Sequence, residues 1–143
     1  TTLHYVENNS KLKDGDLILF DLGAEYNCYN ADITRTFPIS GKFTERQKEV
    51  YNSVLKVNEE IINLIKPGMK YKDINEKATD LIAEECIKLG LIKDKSEVRK
   101  YYYHSIGHSL GMDTHDIEKP HRDIIFADLL AFFPYLQIYL ALF

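Results

Sequence analysis

The pattern of apolar and polar residues predicts two β-strands near the start of the chain. An apolar run from Leu17 to Phe20 follows the turn-like Lys13-Asp14-Gly15 and is too short for a helix. It therefore predicts a buried strand within Asp16 to Tyr26. Residues 27–39 are rich in β-branched and aromatic side chains. Asp32, Thr34 and Thr36 alternate there with Ile33, Arg35 and Phe37 up to Pro38, which predicts a second strand. A tight turn near Tyr26 and Asn27 would join the two strands into an antiparallel hairpin.

Two amphipathic helices are predicted after the hairpin. Thr44 and Gln47 form the spacing of a capping box, and apolar residues then recur at helical intervals, so a helix is expected from Glu45 to Ile65. Lys66-Pro67-Gly68 ends it. A second helix is expected from about Asp73 to just before Gly90.

Composition and charge narrow the class of protein. With 143 residues and 45% hydrophobic composition, the chain can bury one ordinary core. A net charge of -4 with scattered lysines argues against a nucleic-acid partner. Two cysteines, Cys28 and Cys86, lack the spacing of a disulfide framework or a zinc motif, which favours a reducing cytoplasm. The chain opens at Thr1 without a secretory-signal pattern.

Residues Ile124 to Phe143 form an apolar tail in which 17 of 20 residues are apolar. Its length alone would suit a membrane span. Asp128 and Pro134 interrupt the run, and no Lys or Arg flanks its end, so a membrane span is disfavoured.

Asp21 and Asp32 are the first candidates for chemistry. If the turn is centred between residues 26 and 27, the two aspartates pair directly across the hairpin. Carboxylates at a Cβ separation of roughly 5 Å repel by roughly 3 kcal/mol at an effective dielectric of 20. A shared proton or a divalent cation would offset that repulsion. The alternative is that one aspartate is a solvated turn or edge residue.

The segment YYYHSIGHSLGMDTHD, residues 101–116, holds His104, His108 and His115, three of the five histidines. Gly107 and Gly111 break any helix there, and the H-E-x-x-H pattern of zinc proteases is missing. In an extended segment His104 and His108 would project to one face and could line a cleft. Each could instead be a hydrogen-bonded structural histidine. Mixed carboxylate and imidazole ligands favour manganese, iron, cobalt or zinc over calcium.

Three stretches resemble one known family. LHYVENN, DGDLILFDLGAEYNCYNADITRTFPISGKFT and HSIGHSLGMDTHD are similar, in order and spacing, to stretches of Xaa-Pro aminopeptidases (aminopeptidase P) and prolidases. The resemblance covers residues 3 to about 118. It implies the α+β pita-bread fold, which is a curved antiparallel sheet with flanking helices, here incomplete at both ends. These enzymes are dinuclear metallopeptidases that hydrolyse the peptide bond preceding proline.

The resemblance also implies a metal site. Asp21 would bind one divalent ion, Asp32 would bridge both ions, and His108 would bind the other. Manganese is favoured, with cobalt, zinc or iron open. A hydroxide bridging the two ions would attack the carbonyl before proline.

Roles for four further residues follow from the same resemblance. His4 and His115 match catalytic histidines that contact the substrate, and His104 matches a histidine that lines the cleft. Thr34 would orient a neighbouring metal ligand. The implied partner is a proline-containing peptide.

The sequence departs from the family after residue 118. The two glutamate ligands, expected in VEPG-like and RIED-like motifs, are missing, and no glutamate follows Glu118. We therefore divide the chain into a partial catalytic domain, 1–118, and an atypical tail, 119–143, which is expected to be a frameshifted reading, an artefact at the end of the chain or a natural variant. The missing glutamates put the activity of this chain alone in doubt.

Two other functions stay open at this point. The chain could be a non-catalytic domain of the same fold that binds a peptide or a partner protein. It could also be a relative of the methionine aminopeptidases or creatinases, although the ADITRTFP and HSLGMDTHD stretches favour aminopeptidase P. The missing elements and the apolar tail predict weak folding or a homo-oligomer.

Overall fold

A computed structural model of the chain describes residues 5–108 and 111–116. Four short strands precede two helices and a 3₁₀ helix. The strands are β1 (Leu17–Leu22), β2 (Glu25–Tyr26), β3 (Tyr29–Asn30) and β4 (Ile33–Pro38), and the helices are α1 (Glu45–Leu64), α2 (Tyr71–Lys88) and the 3₁₀ helix Lys95–Lys100.

The strands form the predicted antiparallel hairpin, but its register differs from the expected one. β1 pairs with β4 so that Asp21 faces Thr34, and β2 pairs with β3. The turn residues are Asn27 and Cys28, which both have positive φ, 51° and 67°. A type I′ turn needs positive φ at both central residues, and Asn accepts that conformation readily. The predicted direct pairing of Asp21 with Asp32 is therefore wrong, because the turn lies one residue later than expected.

The observed register still places Asp21 and Asp32 near each other along the hairpin. Asp32 lies one residue before β4 and two residues before Thr34, the partner of Asp21. The position opposite Asp32 is Gly23, where an added Cβ would lie 1.8 Å from the Ala31 carbonyl oxygen. Only glycine fits this close approach of the two strands.

The helices begin and end close to the predicted positions. The Thr44 side chain accepts from the Gln47 N–H, and the Gln47 side chain accepts from the Thr44 N–H, which confirms the capping box. α2 begins at Tyr71, two residues before the predicted start. It is followed by Gly90 at φ 71°, a left-handed conformation that suits a glycine after a helix.

The hydrophobic core lies between α1, α2 and the 3₁₀ helix. Ile61, Ile74, Ile82 and Tyr102 are fully buried in it. Within the described residues, every buried apolar side chain lies between positions 50 and 106, and none belongs to the hairpin. The predicted burial of the first strand is therefore wrong, because Leu19, Phe20 and Leu22 are 45–61% exposed. The hairpin is linked to α1 by the Gln47 side-chain amide, which donates to the Gly15 carbonyl over 2.9 Å.

In the described part of the chain, no helix has the length and apolar character that a bilayer span requires. The apolar tail from Ile124 to Phe143 lies outside the described residues.

Candidate active site

The hairpin presents a polar face on which Asp21, Thr34 and Asp32 are neighbours. The Thr34 hydroxyl donates to the Asp21 carboxylate over 2.5 Å. This bond fixes one oxygen of the Asp21 carboxylate. The role of Thr34 in orienting a metal ligand stays a prediction. Asp21 lies on an exposed part of the strand, whereas the Asp32 side chain is only 14% exposed.

Asp32 meets the histidine segment directly. Nε2 of His108 lies 3.0 Å from Oδ2 of Asp32, although the two residues are far apart in the sequence. The His108 ring contacts the His115 ring edge to face, with centroids 4.2 Å apart. The fold thus brings together Asp32, His108 and His115, three of the site residues predicted from the sequence.

One end of the histidine segment is anchored on the first two turns of α2. The Tyr71 hydroxyl donates to the Gly107 carbonyl and accepts from the Gly107 N–H, the latter over 3.1 Å. The Asn75 side-chain oxygen accepts from the Ile106 N–H over 3.2 Å. The sequence analysis does not include Tyr71 and Asn75 among the candidates. The pattern that could have indicated them is a pair of polar groups four residues apart on α2, beside the buried stripe that includes Ile74 and Ala78.

The other end of the segment is anchored on the hairpin. Asn30 donates its backbone N–H to the Gly111 carbonyl over 2.9 Å and its side-chain amide to the Met112 carbonyl over 2.7 Å. The Met112 N–H donates to the Asp116 carboxylate over 3.1 Å. The positions of Asn30 and Asp116 in this site left no periodic signal in the sequence.

The two remaining candidate histidines have different placements. Nδ1 of His104 lies 2.7 Å from the Ser105 carbonyl, and since a carbonyl only accepts, Nδ1 carries the proton. The His104 ring packs edge to face against Tyr102 and Tyr103, at 4.8 and 6.0 Å between centroids. The predicted role of His104 in the cleft stays a prediction. His4 lies outside the described residues.

The chemistry of these side chains fits a divalent metal, but the described residues do not complete a site. Two donors that bind one ion at about 2.1 Å and at a right angle lie about 3.0 Å apart. The separation of Asp32 and His108 is therefore compatible with a shared ion. Among residues 5–108 and 111–116, however, no group of three or more His, Cys, Asp or Glu side chains is arranged to hold one.

Solved structures identify the fold. A Bacillus anthracis protein assigned as an aminopeptidase P superposes with a TM-score of 0.83 and 47% identity over 88% of this chain and 30% of its own. Zinc-substituted aminopeptidase P from Escherichia coli, in complex with product, superposes with a TM-score of 0.80 and 38% identity over 87% of this chain and 30% of its own. These likenesses confirm the pita-bread fold that the resemblance implied, which makes the hairpin and histidine segment part of a metallopeptidase-like catalytic domain.

The sequence comparisons give the family. The model of metallopeptidase family M24 matches residues 1–128, and the chain belongs to this family. Xaa-Pro aminopeptidase 3 of Dictyostelium discoideum is 54% identical over 117 residues, which are 80% of this chain and 23% of that protein. The chain thus spans about a quarter of the length of the curated relatives that it matches. Family membership implies a peptidase class that depends on divalent metal ions and acts on peptides.

Proposed function

We propose that this chain contributes the hairpin and histidine parts of an active site that hydrolyses the peptide bond preceding proline. The observation that carries the proposal is the 3.0 Å contact between Asp32 and His108, in a chain similar to Xaa-Pro aminopeptidases. All residues with a proposed role lie within 1–118, the segment that we propose as the catalytic portion. Residues 119–143 are proposed to be a separate tail.

Asp21, Asp32 and His108 would hold two divalent ions. In this proposal Asp21 binds one ion, Asp32 lies between the two, and His108 binds the second through Nε2. The Thr34 hydroxyl supports it, because a donor to one Asp21 oxygen leaves the other oxygen oriented for an ion. Bound ions would supply Lewis acidity and a nucleophile at neutral pH. Manganese is the proposed metal, with cobalt, zinc and iron as alternatives.

The histidines that do not bind metal would position the peptide. The His115 ring is exposed and touches His108, so it can donate a hydrogen bond to a substrate carbonyl beside the metal ligands. His4 is proposed for the same task, and His104 is proposed to line the cleft. The nitrogen of the peptide bond before proline carries no hydrogen. The substrate therefore offers only carbonyl acceptors at the scissile bond, which suits a site built from histidine donors.

Metal binding tests the proposal. Mn²⁺ would be titrated into the chain by calorimetry, with Asp32→Ala and His108→Ala as test variants. Loss of either ligand should weaken binding by at least 10-fold. Glu59→Ala is the matched control, because Glu59 is an exposed carboxylate on α1, and it should bind like the parent chain. Unchanged affinity in Asp32→Ala would contradict the proposal.

Hydrolysis tests the reaction itself. A tripeptide with proline in the second position would be compared with the same tripeptide carrying alanine there, each with and without Mn²⁺. Because two glutamate ligands are missing from this chain, the proposal expects turnover once both glutamate motifs are restored. It then expects cleavage of the proline peptide only, with loss of turnover in Asp32→Ala. Cleavage that is equal for both peptides would refute the specificity for proline.

A second function is favoured by one observation, the missing glutamate ligands of the family. It is that of a non-catalytic domain that binds proline-containing peptides. This alternative expects the labelled proline tripeptide to bind equally well in the presence of a chelator and to remain intact. Binding that requires Mn²⁺ would exclude it.

A further inference from the structure

We propose that Asn30 is a positioning residue that holds the His108–His115 segment in register with Asp32. The proposal rests on the function proposed above and adds to it a residue outside the metal-binding and substrate-binding sets. It is carried by two hydrogen bonds from one residue of the hairpin to two consecutive carbonyls of the histidine segment.

The location of these bonds is what gives them a role in the site. Asn30 precedes Asp32 by two residues, and its bonded partners, Gly111 and Met112, lie between His108 and His115. The two bonds therefore connect the stretches that carry the carboxylate and the imidazoles, across 82 residues of sequence. The anchor on α2, through Tyr71, holds only the end of the segment that precedes His108. Asn30 holds the end that follows it.

The Gly111–Met112 peptide group is held from both sides. Its carbonyl accepts from the Asn30 backbone N–H, and its N–H donates to the Asp116 carboxylate. Gly111 is buried, and a Cβ at this position would lie 1.6 Å from an Asp116 carboxylate oxygen, so the turn closes tightly on itself. The segment therefore docks on the hairpin as a preformed turn, and a change at Asn30 moves the turn as a unit.

The side chain of Asn30 makes a contribution that its backbone cannot. Any residue except proline could donate the backbone bond to Gly111, but the bond to Met112 needs a short side chain with an N–H donor. Without that donor the Met112 carbonyl loses its hairpin partner. A neutral hydrogen bond contributes about 1 kcal/mol net, which corresponds to about a 5-fold change in the equilibrium between docked and undocked turn.

The test uses the full chain and two variants at position 30. Asn30→Ala removes the side-chain donor. Asn30→Asp is nearly isosteric but presents carboxylate oxygens to the Met112 carbonyl, so it should undock the turn further. Asn52→Ala, at an exposed position on α1, is the matched control.

Hydrogen exchange and proton NMR report on docking without any metal. In Asn30→Ala the backbone amide of residue 30 should exchange about 5-fold faster, and the His108 and His115 ring signals should lose the mutual shifts that follow from their 4.2 Å contact. The amide of Ile82, in the core, should exchange as in the parent chain. This pattern separates a positioning role from general loss of stability. If the Ile82 amide exchanges faster in Asn30→Ala by the same factor as the residue 30 amide, the variant has lost general stability, and that result would count against a positioning role.

Mn²⁺ affinity, measured separately by calorimetry, should fall several-fold in both variants and stay unchanged in Asn52→Ala. The proposal would be overturned if both variants keep the His108 and His115 ring shifts of the parent chain and the same amide exchange rate at residue 30. Failure of the parent chain to bind Mn²⁺ would count against the proposed function instead, because the exchange and ring-signal measurements do not depend on metal.

Discussion

Replacement of Gly23 by alanine should disrupt the hairpin at the position of Asp32. The ideal Cβ at residue 23 lies 1.8 Å from the Ala31 carbonyl oxygen and 2.4 Å from its carbonyl carbon. Ordinary contacts of a Cβ begin near 3.4 Å, so the two strands would have to separate by about 1.6 Å. Both clashing atoms belong to the backbone, and no side-chain rotation can relieve the overlap.

Forced overlap of this kind costs about 1–3 kcal/mol, or roughly a 5- to 150-fold change in the opening equilibrium. The strain falls beside the bond from the Ala31 N–H to the Ala24 carbonyl, 2.9 Å in length. It also shifts the backbone that carries Asp32, so the 3.0 Å contact with His108 should lengthen. We therefore expect that Gly23→Ala both weakens the protection of hairpin amides from hydrogen exchange and weakens Mn²⁺ binding.

Hydrogen exchange at the Ala31 amide is the direct assay. Gly107→Ala is the matched control, because a Cβ there meets no atom within 4 Å and φ lies outside the left-handed region. That control should be neutral, or stabilising by about 0.4–1 kcal/mol through the unfolded state. Parent-like protection of Ala31 in Gly23→Ala would refute the reasoning about the close approach of the strands.

Three further predictions concern the helical part. Thr44→Ala removes the capping box and should lower the free energy of unfolding by about 1 kcal/mol in urea titrations, whereas Ser53→Ala within α1 should not. Ile82→Ala empties a fully buried position and should cost about 2–5 kcal/mol, against less than about 1 kcal/mol for the partly exposed Leu55→Ala, measured in the same way. The last concerns Glu85, where burial raises the pKa but hydrogen bonds from Lys56 and Lys88 outweigh it and lower the pKa below its ordinary value of 4.5. A carboxyl whose pKa is lower in the folded state than in the unfolded chain stabilises the folded protein at pH values above its unfolded pKa. That stabilisation is lost as the pH falls through the folded pKa. Glu85→Gln should therefore be less stable than the parent chain at pH 7, and the gap in urea midpoint should shrink as the pH falls below 4.5. A gap that is constant with pH would contradict this assignment.

Local signals in the sequence were enough for the elements and for most of the candidate residues. Alternation around Asp32 predicted the strand, and the pair Thr44 and Gln47 predicted where α1 begins. These signals work because strand and helix periods and a cap depend on residues within a few positions of one another. The 3₁₀ helix Lys95–Lys100 had no comparable signal, since short 3₁₀ turns have little periodicity of their own.

Sequence alone determined the family and the antiparallel hairpin. Tertiary structure decided the rest of the site, beginning with the strand register, which depends on the φ angles of Asn27 and Cys28. It also decided that His108 reaches Asp32 and His115, whereas the His104 ring packs on tyrosines. The physical reason is that the histidine segment is placed by a few hydrogen bonds between its backbone and the distant residues Asn30, Tyr71 and Asn75. Such bonds need one donor at one position and leave no repeating pattern in the chain.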